Sequence, residues 1–539
     1  MDDQPPSDST PAPAGPPLRL WPLGVIFGLA ALAIGGAAAA GAWWDDAQSG
    51  TAWTIIFIAV PPTLLALAAW LLLFSRMAAR PKWIIFGLGV AAVAVAARNI
   101  KIEHTGNLTP KITFGRGVVN VAIEKTVQHD GVDLLKTTPD DVPEFLGPGR
   151  RPMFPKASLD TDWKAHPPRE VWRQPIGPGF GGFAVVGDFA VTQQQEGGNE
   201  LVVCYEWRTG RPRWKHADEA SFTSSLGGDG PRATPTINGG RVYSMGATGI
   251  LNCLNGRDGS VLWRADTLKE NLAKNLDWGV SCSPLVVGNL VVVSAGLRDT
   301  AVSEQQHKHY TLIAYDKLTG KPIWRGGTDD ASFCSPALAT IGGVRQIVIA
   351  NAGTVTGHDI ADGHVLWEFE IQRSMPTVSQ AVPLDDQRVF HSKGYQAGCG
   401  VQKVTRDAAG KWTAETLWAE PRYLRTKFTN VIIVGDQAYG LDDGFLQCID
   451  LKTPKQRWTT RRQSKVDYGH GQVILAGDVL LVQTEQGDVA LVEATPDKFH
   501  ELTRFSPLSG RTWNYPVLVG NYLLTRNDRE AVCYELPKK

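Results

Sequence analysis

The stretch Ala314–Trp324, AYDKLTGKPIW, reads as strand, turn and strand. Its skeleton returns as CYEWRTGRPRW from Cys204 to Trp214 and as CLNGRDGSVLW from Cys253 to Trp263. GHDIADGHVLW runs from Gly357 to Trp367, and CIDLKTPKQRW from Cys448 to Trp458. In each copy a small residue stands ten positions before a tryptophan, and in most a Thr-Gly or Asp-Gly pair lies between. The glycine supplies the positive φ of a tight hairpin turn. The residues around it alternate in the period of two that marks strands with two different faces.

Tryptophans closing such segments fall at Trp172, Trp214, Trp263, Trp324, Trp367, Trp418 and Trp458, at intervals of 40 to 61 residues. A four-stranded propeller blade takes roughly 40 to 50 residues. Each unit opens with a short apolar strand carrying Ser/Thr-Pro (RATPTI, SCSPLVV, FCSPALA), followed by a second strand after a Gly turn (VGNLVVVSA, AGDVLLVQT). The spacing predicts an all-β, eight-bladed propeller over 168–539. The C-terminal copy ends after three strands at AVCYEL, and the N-terminal REVWR supplies its missing outer strand, which closes the ring and removes free edges. Blade seven lacks the tryptophan, and Leu502 or a neighbour is expected in its place. In a radial stack every blade buries both faces. An indole offers roughly 200 Å² to the next blade, and the small residue opposite leaves room for it.

The repeated pattern resembles the tryptophan-docking motif of quinoprotein-type, or PQQ-repeat, propellers. The acidic third position is kept in Asp316, Asp359 and Asp450, with Glu206 and Asn255 in the other copies.

Ahead of the repeats the composition changes. Residues 1–18 are polar and Pro/Ser-rich, as a disordered tail is. The uncharged runs at about 20–44 and 53–75, and a shorter apolar segment at 82–99 with Lys82 and Arg98 near its ends, predict a helical transmembrane anchor of about three helices. Asp45 and Asp46 lie in the first loop, and Arg76, Arg80 and Lys82 in the second. By the positive-inside rule this puts the propeller on the periplasmic side of a bacterial inner membrane. Residues 101–167 read as an extended linker.

The 54 basic and 54 acidic side chains balance, which gives no support for a nucleic-acid partner. The seven cysteines form no CxxC. Most fill the small slot of the repeat and are expected to be buried apolar groups, with Cys282 and Cys334 the one conceivable redox pair.

Ligands of a propeller are expected where the inner strands begin. By repeat, that mouth gathers Asp229 and Arg232, Asp277 and Trp278, Asp330, Gln380, Lys427 and Asn430, Asp467 and His470, and Arg511, Trp513 and Asn514. The resemblance to PQQ-dependent dehydrogenases implies PQQ with Ca²⁺ there. Asp277 or His470 would be the base, Arg232 or Lys427 would meet cofactor carboxylates, and Trp278 or Trp513 would stack on the ring; Asp229, Asn430 and Asn514 complete the candidate set. Against it stand the absence of an adjacent cysteine pair and of a CxxCH haem site, and no metal ligands are identified. Two readings follow. One is a membrane-anchored binding or scaffold module of the cell envelope, similar in fold to the scaffold lipoprotein of outer-membrane assembly, with envelope proteins or polymers as partners. The other is a PQQ-dependent alcohol or sugar dehydrogenase passing electrons to membrane quinone.

Overall fold

The computed structural model describes residues 20–43, 49–107, 110–114, 131–302, 308–373 and 375–539. The chain divides into two units, Met1–Gly117 and Val118–Lys539. The polar tail, Asp45 and Asp46, and residues 115–130 of the connector lie outside the described residues.

The first unit holds three helices, Trp21–Trp43, Ser49–Ala69 and Ala79–Asn99. The second contains Pro61 and Pro62 and runs on into a π turn, Trp70–Phe74. A hairpin of Ile100–His104 with Pro110–Phe114 follows. Among the described residues, no helix is long and apolar enough to cross a membrane. The three spans expected at 20–44, 53–75 and 82–99 are therefore not shown, and parts of them fall outside the described residues.

The second unit is an eight-bladed β-propeller. Seven antiparallel meanders follow in chain order at 184–218, 236–266, 285–326, 337–370, 382–420, 432–459 and 472–505. The eighth takes Val517–Val519, Tyr522–Arg526 and Glu530–Glu535 from the C-terminus, and its outer strand, Arg169–Pro175, from the start of the unit. The expected strand exchange thus closes the ring.

The ten-residue spacing has a geometric origin. Cys204 pairs across the hairpin with Trp214, Cys253 with Trp263, Ala314 with Trp324, Gly357 with Trp367, Cys448 with Trp458 and Cys533 with Trp172. In each case a bulge follows the small residue and leaves the residue before the tryptophan unpaired. The indole then reaches the next blade. Trp214 Nε1 donates to the Gly256 carbonyl at 2.8 Å, and Trp172, Trp263, Trp324, Trp418 and Trp458 donate likewise to Trp207, Lys317, Ile360, Leu451 and Thr495. The ring itself lies on that blade's turn glycine. A Cβ on Gly259 would stand 2.5 Å from Trp214, and one on Gly320 2.7 Å from Trp263. The acidic third position caps the same turn, as where Asp316 accepts from the Leu318 and Thr319 amides.

Two seams depart from this pattern. Trp367 bonds to Gln346 of its own blade at 2.5 Å, because blade five carries the long hairpin 398–420 in place of the motif's turn. In blade seven Leu502 is the unpaired bulge residue, and Thr503, opposite Leu491, holds the tryptophan's register.

Residues 131–168 do more than connect. Lys136 and Asp140 lie at the turns that end the inner strands of blades one and eight. Val142 bridges to Val185 of blade one, and the Pro143 carbonyl accepts from Ile237 of blade two. Phe145 packs edge-on against Tyr515, 5.9 Å between centroids. Met153 and Phe154 pair in parallel with Leu475 and Ala476, the inner strand of blade seven. At the tip Arg150 is buried, with φ 53°. It donates to the carbonyls of Ser283 (3.0 Å), Pro284 and Pro336 (2.7 Å), just ahead of the inner strands of blades three and four. Glu144 lies 3.1 Å from it. This loop thus runs from the turns that end the inner strands to the residues that precede them.

Candidate functional site

The mouth is ringed by loops that precede the inner strands, and the side chains they carry form an aromatic and cationic collar. Arg232 lies 4.5 Å from the ring of Phe222 and 5.6 Å from that of Phe180. Arg511 lies 5.2 Å from Phe180 and 4.6 Å from Trp513. Trp513 meets Phe428 at 4.7 Å, and Phe428 meets His470 at 5.6 Å. Further round, the Lys427 ammonium sits 5.2 Å from Tyr395 and 3.5 Å from Asp443. On the other flank Trp278 packs on Phe333 at 5.6 Å, and a Cβ on Gly227 would stand 2.8 Å from it. Cations on ring faces of this kind hold one another in place.

Burial sets the electrostatics. It brings the Arg232 guanidinium down to about 10, against the pull of Glu200 and Asp229. It lowers Arg511 and Lys427 in the same direction. It drives His470 well below its ordinary value, with Lys427 adding repulsion, so the imidazole is neutral at neutral pH.

Nearly every polar group named from the sequence already has a protein partner. Arg232 donates to the carbonyls of Gly230, Gly228 (2.6 Å) and Gly227. Asn514 donates to Gly179 and Gly181, each at 2.9 Å, and Asn430 accepts from the Gln380 amide at 2.9 Å. Trp513 donates to Glu485 at 2.8 Å, and the other oxygen of Glu485 accepts from the His470 amide at 3.2 Å. Asp229 accepts from Ser224 at 3.4 Å. Asp330 lies 3.2 Å from His309, and Asp467 accepts from Gly469. Asp277 is exposed. The structure thus brings Arg232, Arg511, Asp229, Trp513, Lys427 and His470 into one collar. Asn430 and Asn514 serve as stitches between loops, and Trp278 serves as a flanking wall.

A quinone held flat with a calcium ion needs an open indole face and several uncommitted oxygen donors. Here Trp513 is crowded by Phe428, Phe180 and Arg511, the Asn430 amide oxygen is spent on Gln380, and the one uncommitted oxygen of this pair, Asn514 Oδ1, is buried. The residues present do not fit PQQ with Ca²⁺. The one cluster of metal-type groups among the described residues, Asp359, Asp362 and His364, lies on a hairpin turn away from the mouth. All seven cysteines are free and buried, Cys282 and Cys334 included.

Sequence reasoning passed over Phe180, Phe222, Phe428 and Glu485. Nothing in the repeat marks them, since they stand in loops of unequal length. Glu200 was also missed. It accepts from Ala247 (3.0 Å) and Thr248 across the seam of blades one and two, and desolvation raises it to about 7.

Fold and collar together define a tryptophan-docked, eight-bladed propeller whose mouth is built as a surface of rings and cations. The chain belongs to the PQQ-repeat family described as "Outer membrane protein assembly factor BamB", whose pattern matches residues 165–306 and 223–460. A relative of that name from Shewanella oneidensis is 22% identical over 328 residues, covering 57% of this chain and 75% of its own length. Among solved structures, BamB from Moraxella catarrhalis is 15% identical with TM-score 0.48, covering 68% of this chain and 98% of its own. A europium-containing methanol dehydrogenase is 11% identical with TM-score 0.49, covering 75% and 99%.

Proposed function

We propose that this protein is a membrane-tethered binding or scaffold module of the bacterial cell envelope, which holds a protein partner at the propeller mouth. The observation that carries this is the collar. Its cations lie on aromatic rings, and the amides of Asn514 and Asn430 each bond to a neighbouring loop, so it offers a preorganised surface of the residue types enriched at interfaces. The relative named as an outer-membrane protein assembly factor supports an envelope role. The apolar stretches at 20–44, 53–75 and 82–99, taken as three crossings with Arg76 and Arg80 between the second and third, support tethering in the inner membrane with the propeller on the periplasmic side.

The test has two arms. Reporter fusions after residue 118, one active only outside the cytoplasm and one only inside, read the side. Site-specific photocrosslinkers at Trp278 and Leu226, at the collar's flank, compared with one at Leu417 on an outer strand, read the partner. A discrete adduct from the collar alone is expected. Adducts from both faces alike, or from Leu417 only, refute the mouth as the binding surface.

A further inference from the structure

The outer edge of blade six carries a charge imbalance found nowhere in the balanced totals. From 452 to 466 the chain reads KTPKQRWTTRRQSKV, with six cations and no anion. It forms the outermost strand Lys455–Thr459 and the single turn Thr460–Gln463 that continues it. The outer strands of the two preceding blades carry acids instead, Glu368 and Glu370, then Glu415 and Glu420. Three of the six cations are engaged. Lys452 lies 2.6 Å from Asp436, Arg457 pairs with Asp450, and Arg461 lies 4.0 Å from the ring of Phe445. Lys455, Arg462 and Lys465 are exposed, and among the described residues they form no ion pair. A five-residue strand and one turn extend about 20 Å, so these charges lie along one ridge within a few screening lengths of each other.

We infer that this ridge is a docking surface for an anionic phospholipid bilayer. Charge complementarity favours that occupant: a row of flexible, solvated cations without aromatic or bidentate pockets suits a diffuse headgroup layer. The inference rests on the proposed tether, which keeps the propeller beside a membrane. Each cation near such a surface strengthens contact about fivefold, and the three free ones together about 100-fold.

The test uses the full chain in lipid nanodiscs and reads amide hydrogen exchange over 455–466. Exchange is expected to slow about tenfold or more on phosphatidylglycerol discs relative to phosphatidylcholine discs. The difference is expected to vanish in high salt and in the K455E/R462E/K465E variant, with R462Q/K465Q as the milder check. Equal exchange on the two lipids, as when the ridge serves an acidic protein instead, overturns the inference. If the chain does not enter discs, the tether fails. Flotation with phosphatidylglycerol vesicles then decides the ridge, with charge-dependent flotation sustaining it and none sinking it.

Discussion

Consider the substitution Gly259→Ala beside Gly197→Ala. Both glycines are left-handed, at φ 74° and 59°, so alanine carries the same backbone penalty at each, about 1–2 kcal/mol. At Gly197 nothing lies within 4 Å of a built Cβ, whereas at Gly259 it would stand 2.5 Å from the Trp214 ring. Trp214 is fully buried and its N–H is spent on Gly256, so the indole cannot yield without losing that bond. Overpacking of this kind costs about 1–3 kcal/mol more. Removing the indole itself, Trp214→Ala, is expected to cost about 4 kcal/mol, from a cavity in the seam and a carbonyl left without its donor. In the Trp214→Ala background the extra penalty of Gly259→Ala should disappear, since the two residues act as one unit. Urea midpoints of the four variants and the parent give the cycle. If Gly259→Ala costs no more than Gly197→Ala, or if the penalties simply add, the indole-on-glycine lock is not what holds the seam.

Other perturbations separate the remaining contacts. Gly357→Ala should destabilise by about 2 kcal/mol or more, because the added methyl meets both Trp367 and Gln346; the matching Cys253→Ala, in a roomier slot, should cost about 1 kcal/mol. Arg526→Met, which strips donors from the carbonyls of Gly177 and Gln193 at the closure seam, should cost about 3 kcal/mol and raise proteolysis at 169–183. Arg150→Met should loosen the loop that carries it, seen as faster amide exchange over 142–154 while the blades keep their protection. Glu200 holds its proton to about pH 7 in the fold but loses it near 4.5 when unfolded. Its contribution is therefore full below the lower value and is lost as pH rises through the upper, by about 3 kcal/mol, so Glu200→Gln should raise the urea midpoint near pH 8 and leave it unchanged near pH 4.

The repeat was legible because it is written in covalent spacing. A turn, one bulged residue and a cross-strand pair consume a fixed count, so Cys204 and Trp214 announce each other at ten positions. Closure by Arg169–Pro175 was legible for the same reason, through the pairing of Trp172 with Cys533. Of Leu502 or a neighbour, the neighbour Thr503 holds the slot, because a bulge shifts register by one and only the pairing shows it. The mouth was legible as a place but not as a machine. The positions of Arg232, His470 and Trp513 follow from the repeat. Whether their donors are free depends on Phe180, Glu485 and Gly228, contacts between blades far apart in sequence. Arg150 was illegible altogether, since its three carbonyl partners lie 133 to 186 residues away.

The two ends of the ring are held by different contacts, and this bears on what the protein can do. On the side away from the mouth, residues 136–157 lie along the inner strands, with Arg150 donating to the carbonyls of Ser283 and Pro336. At the mouth, Arg232 and Arg511 are held by ring faces and backbone, and a Cβ on Gly228 would strike both Arg511 and Phe180. Held in this way, the surface would meet the protein partner proposed above as a nearly rigid body. On the reading proposed here, the basic edge of blade six then has a separate task. Contact made at the rim leaves the mouth uncovered, so lipid and partner need not compete, and charge reversal on the ridge should leave crosslinking at the collar intact.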